Sequence, residues 1–444
     1  MENEPTMGTE IFAVAGNPVL HSRSPQLMNC AFESLGIDAV YTRMLAGSGE
    51  EAVRTAKEIG LGGLNITSPF KGEVIEHLDE VSTQARKLGA VNTIVFEGDS
   101  ASGHNTDYLG AIGALENASI GIRGKKAVVL GAGGAGRAAA FGLHSEGAKA
   151  TLLNRDAQKA QEAADAIGCA FGGMGTLAEE LLDSDIVVSC LPRGLNLIEA
   201  QMPKEGAVLM DANYGESPLA GIAQKANCTF IDGREWLLAQ AAPSFELFVS
   251  KIAPIEAMRE AVYADLPEEG VWKGTGNIAL IGFMGVGKSA VARELSVESG
   301  KELTDVDLEI EKRAGASIKH IFSEFGEDEF RSMEREEIAR VGQARNKVID
   351  CGGGAVLDEG NVEILRKSSV PVWLWARPET ALSRLGEESG RPLLDVEDRM
   401  GLARKLSSGR RGKYAKTAQM IISSEGRSAA EVAGMILHET GKSI

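Results

Sequence analysis

A chain of 444 residues exceeds the ~250–300 residues at which one hydrophobic core stops growing, so at least three lobes are expected. Hydrophobic residues at 43 % and charged residues at 25 % are ordinary for a globular fold, and no apolar run reaches the ~20 residues of a membrane helix. A formal net charge of −17 would repel a polyphosphate backbone and argues against nucleic acid as a partner; five scattered cysteines without a C-x-x-C pair argue for reduced thiols in a cytoplasm and against a zinc site.

The first residues, Met1-Glu-Asn-Glu-Pro-Thr-Met-Gly, are acidic where a signal or transit peptide is basic, which argues against secretion. From Ile11 onward, β-branched runs alternate with helical stretches: Ile11–Ala15, Ser24–Leu35, Ala39–Leu45, Glu50–Ile59 and Leu64–Thr67. This alternation predicts an α/β sheet with helical crossovers. A second α/β unit starts at Lys126–Leu130, with later strands at Ala150–Asn154, Asp185–Ser189 and Ala207–Asp211. Helical sequence from about Arg234 to Tyr263 closes it. Pro, Gly and acidic residues at 264–276 read as a linker, and a third α/β unit begins with the strand Asn277–Ile281.

Two glycine-rich loops of different design follow the strands that open the second and third units. Gly131-Ala-Gly133-Gly134-Ala135-Gly136 lies between a strand and a helix, the context of a dinucleotide-binding fingerprint. Gly131 permits the tight turn, Gly133 lets backbone approach a pyrophosphate, and Gly136 lets helix and strand pack closely. The next strand ends in Asn154-Arg155, where an NAD-binding unit carries an acidic residue; an arginine there suits a 2′-phosphate and predicts NADP(H). Asp156 beside it either weakens that preference or caps the next helix.

The second loop, Gly282-Phe-Met-Gly285-Val-Gly287-Lys288-Ser289, is a G-x-x-x-x-G-K-S phosphate loop, and it predicts ATP and Mg²⁺. Lys288 is expected on the β/γ-phosphates and Ser289 on the metal. Downstream, Asp305-Val-Asp307 is expected to close a strand, Phe330-Arg331-Ser-Met-Glu334 to lie on a helix, and Gly352-Gly353-Gly354 to follow another strand. Arg391-Pro-Leu-Leu sits in a Gly/Glu/Ser-rich stretch suited to a lid.

Three polar clusters of the first lobe, His21-Ser22-Arg23-Ser24-Pro25, Asn65-Ile-Thr67-Ser-Pro-Phe-Lys71 and Asn105-Thr-Asp107, each have a helix-capping explanation when taken singly. Together with Gly16-Asn-Pro, Gly89-Ala-Val-Asn92-Thr and Trp236-Leu-Leu-Ala-Gln240, residues 10–262 resemble the shikimate dehydrogenase family. The resemblance implies that Ser22 and Ser24 hold the substrate carboxylate, that Asn65, Thr67, Asn92, Asp107 and Gln240 bind ring hydroxyls and carbonyl, and that Lys71 and Asp107 form the catalytic pair. A cation near a helix N-terminus is disfavoured by the dipole, which sets Lys71 apart from an ordinary solvated lysine. Leu191 and Tyr214-Gly215-Glu216 depart from the family pattern near the expected nicotinamide pocket.

Residues 276–440 resemble the shikimate kinase family. That likeness makes Asp305 a partner of the magnesium shell, Asp307 the residue that holds the attacking hydroxyl, and Arg331, steadied by Glu334, a carboxylate ligand together with Arg410. It brings the Gly352–Gly354 backbone to the ring, Arg391 over the phosphates and Arg384 beside the nucleotide, with Ala290 replacing a frequent threonine after Ser289.

The expected architecture is a substrate domain at 1–115 completed by 241–263, a Rossmann domain at 116–240, a linker at 264–276 and a P-loop domain at 277–444. The expected function is NADPH-dependent reduction of 3-dehydroshikimate to shikimate followed by ATP-dependent phosphorylation of the product. Alternatives are a quinate-oxidising, NAD⁺-linked first half or a non-catalytic nucleotide sensor.

Overall fold

The computed structural model describes residues 8–198, 203–264, 275–385, 396 and 398–443, with the side chains of 442 and 443 excepted. Most of the linker 264–276 and all of the Arg391 segment therefore lie outside the described residues. Strands in chain order are β1 (Glu10–Gly16), β2 (Ala39–Leu45), β3 (Gly63–Ile66), β4 (Glu80–Val81), β5 (Thr93–Glu97) and β6 (Ser100–His104). Next come β7 (Lys126–Leu130), β8 (Lys149–Asn154), β9 (Ala170–Gly173), β10 (Ile186–Ser189), β11 (Val208–Asp211) and β12 (Thr229–Ile231). The last are β13 (Ile278–Ile281), β14 (Glu302–Asp305), β15 (Lys347–Asp350), β16 (Val370–Trp375) and β17 (Met420–Ser423).

The backbone clusters into two units. One comprises residues 1–25, 38–61 and 265–444, and the other residues 26–37 and 62–264. In the first, seven strands run in the order β14-β15-β13-β16-β17-β2-β1, and every neighbouring pair is parallel. Parallel strands covered by helices on both faces become continuous apolar runs, and β13, β16 and β17 are buried at every position. The five strands from β14 to β17 have the phosphate-loop strand β13 in the middle. Two strands from the chain's beginning extend the same sheet: Ile421 and Ile422 of β17 pair with Met44 and Leu45 of β2.

The second unit holds an all-parallel six-stranded sheet in the order β12-β11-β10-β7-β8-β9, the doubly wound arrangement that puts a ligand crevice beyond the carboxyl end of β7. Its smaller part is a mixed set, β3-β5-β6-β4, in which β5 is antiparallel to both β3 and β6. The expected run of helix at 234–263 is two helices, Gly233–Val249 and Ile255–Tyr263, because Ser250 takes a left-handed conformation with φ of 52° at the first helix's end. The helix Gly233–Val249 crosses the helix Asp107–Asn117 so closely that a Cβ on Gly110 would lie 2.5 Å from Trp236 Cδ1 and 2.7 Å from Gln240 Cβ. That approach positions the first candidate site.

No helix among the described residues is long and apolar enough to cross a membrane. All five cysteines are unbridged.

Candidate active sites

In the second unit, the segment Gly89–Thr93 fastens two distant side chains to one point. The Val91 amide donates to the Lys71 carbonyl at 2.7 Å, which fixes the turn that carries Lys71. The Asn92 amide group donates to Asp107 Oδ1 at 2.9 Å and lies 3.0 Å from Gln240 Oε1, while Asn92 Oδ1 accepts from the Thr106 backbone amide at 2.7 Å. Asn105 Oδ1 accepts from the Asp107 amide at 3.0 Å and so opens the helix at Asp107. Lys71 Nζ then meets Asp107 Oδ2 at 2.6 Å, with the side chains 20 % and 7 % exposed. A charge-assisted contact of this length in a half-buried setting keeps the Lys71 side chain aimed.

Lys71 sits in a turn ahead of the 3-10 helix Glu73–His77, not on the first turn of an α-helix. Its partner is Asp107, and that contact accounts for its place whatever the dipole of a nearby helix contributes. Asn65 donates to the Asn92 carbonyl and to Thr93 Oγ1, both at 3.0 Å, and Thr67 follows it, half-buried, in the turn after β3. Sequence reasoning missed Ser244: its buried hydroxyl is 2.8 Å from Thr93 Oγ1, 2.9 Å from Thr106 Oγ1 and 3.2 Å from Asn65 Nδ2. Its position four residues after Gln240, one helical turn on, was the available signal.

The dinucleotide loop adjoins this cluster. Gly131 has φ of 103°, and a Cβ on Gly136 would lie 1.7 Å from the Gly131 carbonyl oxygen, so neither position admits a side chain. A Cβ on Gly134, at the start of the helix Gly134–Ser145, would fall 3.3 Å from Lys71 Cδ. The loop and the Lys71–Asp107 pair thus share one crevice. The helix has Gly133 at its N-cap and no side-chain cap bond, so its first amides remain available to a phosphate; this set fits a dinucleotide. Asn154 Oδ1 accepts from the Ala132 amide at 3.3 Å, and Ala135 lies in the helix's first turn. Arg155 is exposed just after β8, and Asp156 caps the following helix by accepting from the Gln158 and Lys159 amides. The capping role of Asp156 leaves Arg155 as the charge facing outward at that strand end. Burial raises the Cys190 thiol beside this loop well above its usual value, which keeps it protonated.

Ser22 and Ser24 belong to the first unit. Both are buried, their hydroxyls 3.2 Å apart, and Ser24 begins the helix Ser24–Ser34.

The same unit contains a cavity of about 760 Å³ beside the phosphate loop, and Lys288, Ser289, Asp305, Asp307, Arg331 and Arg410 all line it. Ala290, Arg384, Gly285, Gly287 and Gly352–Gly354 also border it. Lys288 Nζ lies 3.0 Å and 3.1 Å from the Gly282 and Phe283 carbonyls, folded over its own loop. The helix Lys288–Ser299 likewise lacks a side-chain cap, as a triphosphate site requires. The expected strand through Asp307 ends at Asp305, because the Asp305 carboxylate accepts from the Leu308 amide at 3.1 Å and starts a helix there; Asp307 lies on that helix's first turn.

The glycine run has a steric reason. A Cβ on Gly352 would sit 2.7 Å from Asp307 Oδ1, and one on Gly354 2.4 Å from Arg331 Nη1. Arg331 is held by Glu334 at 2.8 Å and Glu327 at 2.9 Å. Burial raises the Glu334 carboxyl above its usual range despite the Arg331 guanidinium that pulls it down. Arg410 and Tyr414 both reach the Gly353 carbonyl, at 3.3 Å and 2.6 Å, which explains their four-residue spacing. Arg384 donates to the Val286 carbonyl at 3.1 Å and to Ser424 Oγ at 2.9 Å.

A second residue escaped sequence reasoning. Asp350 ends β15, the strand beside the phosphate-loop strand, and is 5 % exposed. Burial raises its carboxyl, while the Lys288 ammonium and a hydrogen bond from the Ser289 hydroxyl act against the rise. The signal was an aspartate closing the strand run Lys347-Val-Ile just before the triple glycine. A hydroxyl and a carboxylate in contact at the head of a phosphate-loop helix match the donors that Mg²⁺ takes in such sites.

Comparison with known proteins agrees with this geometry. Residues 14–94 match the shikimate dehydrogenase substrate binding domain, residues 114–211 match shikimate / quinate 5-dehydrogenase, and residues 284–440 match shikimate kinase. The NADP⁺ shikimate dehydrogenase of Natronomonas pharaonis is 40 % identical over 266 residues, covering 58 % of this chain and 100 % of the relative. That of Syntrophobacter fumaroxidans is 36 % identical over 275 residues, with coverages of 59 % and 96 %. The crystal structure of Thermus thermophilus shikimate 5-dehydrogenase with NADP(H) and shikimate superposes with a TM-score of 0.53 at 31 % identity, covering 58 % of this chain and all of that one. A chorismate mutase/shikimate 5-dehydrogenase fusion from Clostridium acetobutylicum superposes with a TM-score of 0.52 at 30 % identity, covering 58 % and 97 %. The chain belongs to the shikimate dehydrogenase family and carries a shikimate kinase domain in its C-terminal part.

Proposed function

We infer that this chain is a bifunctional enzyme that reduces 3-dehydroshikimate to shikimate with NADPH and then phosphorylates the 3-hydroxyl of shikimate with ATP and Mg²⁺. The observation that carries the first reaction is the Lys71–Asp107 pair, 2.6 Å long and placed against the first residue of the dinucleotide helix. Held at the Gly131–Gly136 loop, NADPH would supply the hydride for the carbonyl carbon. Lys71 gives a proton to the oxygen that becomes an alkoxide, and Asp107 keeps the ammonium aimed at it. Asn65, Thr67, Asn92 and Gln240 orient the ring, and Ser22 and Ser24 hold the carboxylate. Arg155 selects the phosphorylated cofactor by its charge at the end of β8.

For the second reaction, ATP held at the Gly282–Ser289 loop would supply the phosphoryl group, with Mg²⁺ neutralising its charge. Ser289 and Asp350 would hold the ion, with Asp305 in its outer shell. Lys288 presents positive charge to the phosphates, Asp307 accepts the proton of the attacking hydroxyl, and Arg331 with Arg410 binds the substrate carboxylate. Gly352–Gly354 let the ring approach. Arg384 lies by the nucleotide; the resemblance assigns Arg391, outside the described residues, to the phosphates. Positioning and charge neutralisation suffice for this transfer.

Supporting a division of labour along the chain, the family matches change at about the same places as the sequence breaks. We therefore assign residues 1–115 with 241–263 to substrate binding, 116–240 to NADP(H), 264–276 to a linker and 277–444 to the kinase. Five unbridged cysteines support a reducing, cytoplasmic setting. The test is the purified chain incubated with 3-dehydroshikimate, NADPH and MgATP: shikimate 3-phosphate is expected, and the absence of any ATP-dependent product refutes the reading.

A further inference from the structure

The loop that carries Ser22 and Ser24 is fixed by residues from the other end of the chain. Glu439, 1 % exposed on the helix Ala429–Ser443, accepts hydrogen bonds from the backbone amides of Val19 and Leu20 at 2.8 Å and 2.5 Å. The Ser22 amide in turn donates to the Val19 carbonyl at 3.0 Å, so the Glu439 carboxylate holds the turn from which Ser22 projects. Arg43 of β2 donates through Nε and Nη2 to the Ser22 carbonyl at 3.1 Å and 2.6 Å, while its Nη1 reaches Gln419 Oε1, just ahead of β17, at 3.1 Å. The pairing of β17 with β2 sets the register of this arrangement. It is reinforced by the two-pronged Arg427–Glu51 ion pair and by Thr42 donating to the Ala418 carbonyl at 3.0 Å.

Glu439 and Gln419 lie in the shikimate kinase part of the chain, and the helix that bears Glu439 packs on the phosphate-loop helix Lys288–Ser299. No local sequence rule asks for a buried carboxylate there. Two amides of a loop near position 20 provide the reason, since a buried amide without an acceptor is costly.

We propose that Glu439 is a positioning residue for the dehydrogenase reaction: the kinase part completes the carboxylate-binding loop of the first active site. The proposal rests on the reading that Ser22 and Ser24 bind the substrate carboxylate. Fusion of the two activities then has a structural consequence beyond proximity, because the dehydrogenase borrows its loop support from the kinase helix.

The test uses the full chain. Glu439→Ala is expected to raise the dehydrogenase KM for shikimate about tenfold, through loss of the competent loop conformation, with kcat within about twofold. Glu439→Gln, which keeps an acceptor for the same amides, is expected to restore KM. Hydrogen exchange at the Val19 and Leu20 amides is expected to accelerate in the alanine variant and not in the glutamine one. If Glu439→Ala does not fold, Glu439→Asp, which withdraws the carboxylate by one methylene, is measured instead and is expected to show the same KM rise and faster exchange. Ser22→Ala, assayed alongside, separates the two ideas. A raised KM in Ser22→Ala with an unchanged KM in the Glu439 variants overturns the proposal alone. An unchanged KM in Ser22→Ala refutes the serine reading and the proposal with it.

Discussion

Substituting Gly352 by alanine isolates one contact of the kinase cavity. Gly352 is not in the left-handed region, so alanine keeps the backbone conformation and the perturbation is steric. The added methyl would stand 2.7 Å from Asp307 Oδ1 and 3.1 Å from Glu334 Oε1, where ordinary contact begins at 3.4 Å. Glu334 is 1 % exposed and clamped by Arg331, so it yields little; Asp307, on the first turn of its helix, is the group that must move. A displacement approaching ~1 Å of a group that positions the nucleophile costs about 10²-fold in rate, so kcat/KM for shikimate phosphorylation is expected to fall by about that factor. Overpacking is expected to cost about 1–3 kcal/mol of stability, read as a modest fall in melting temperature. The assay is ADP formation coupled to a reporter, with dehydrogenase turnover of the same preparation as a check on folding. A Gly352→Ala protein that melts near the wild type and phosphorylates shikimate within about threefold of its rate refutes the steric argument and the assignment of Asp307 as the hydroxyl's partner.

Three further outcomes are expected. Lys71→Ala should lower dehydrogenase kcat/KM by about 10²–10⁴-fold, the usual worth of a positioned proton donor, while shikimate phosphorylation by the same protein is unchanged. Arg155→Ala should raise the KM for NADPH about tenfold and leave that for NADH unaltered, and added salt should narrow the difference because the guanidinium is exposed. Asp350→Asn should abolish Mg²⁺-dependent kinase turnover and yet stabilise the fold. Burial raises the Asp350 carboxyl in the folded chain above its unfolded value, so ionisation costs stability at pH above the folded value, and that cost vanishes below the unfolded one. The gain in melting temperature should accordingly be larger near pH ~7 than near pH ~4, measured by calorimetry; an equal gain at both would contradict the sign.

Much of both sites was legible from residue order because their conformations are local. Glycines at 131, 285 and 287 answer to left-handed backbone torsions and Gly136 to the carbonyl of Gly131 five residues earlier, and the strand-to-helix context of each loop follows from hydrophobic periodicity. The polar clusters around Ser22, Lys71 and Asp107 stood out through their resemblance to a family, and for the second unit the fold supplied the missing geometry by bringing Lys71 to Asp107 across 36 positions. Boundaries were less secure where a side chain competed with the strand: the Asp305 carboxylate turned strand into helix two residues earlier than the run of residues suggested.

What sequence alone determined, then, was the inventory of groups: two glycine-rich loops of distinct design, a lysine and an aspartate in the first lobe, and a lysine, a serine and a set of arginines in the third. Tertiary structure decided which groups share a buried space. Ser244 is an ordinary helical serine until its helix packs over β3 and β5 and Asn65, Thr93 and Thr106 become its hydrogen-bond partners. Asp350 is a strand-ending aspartate until the neighbouring strand sets it against Ser289, and Glu439 is one more helical glutamate until β17 pairs with β2. The reason is physical: the energy of a buried polar group depends on partners hundreds of residues away, and no local pattern of apolar and polar residues encodes where they will be.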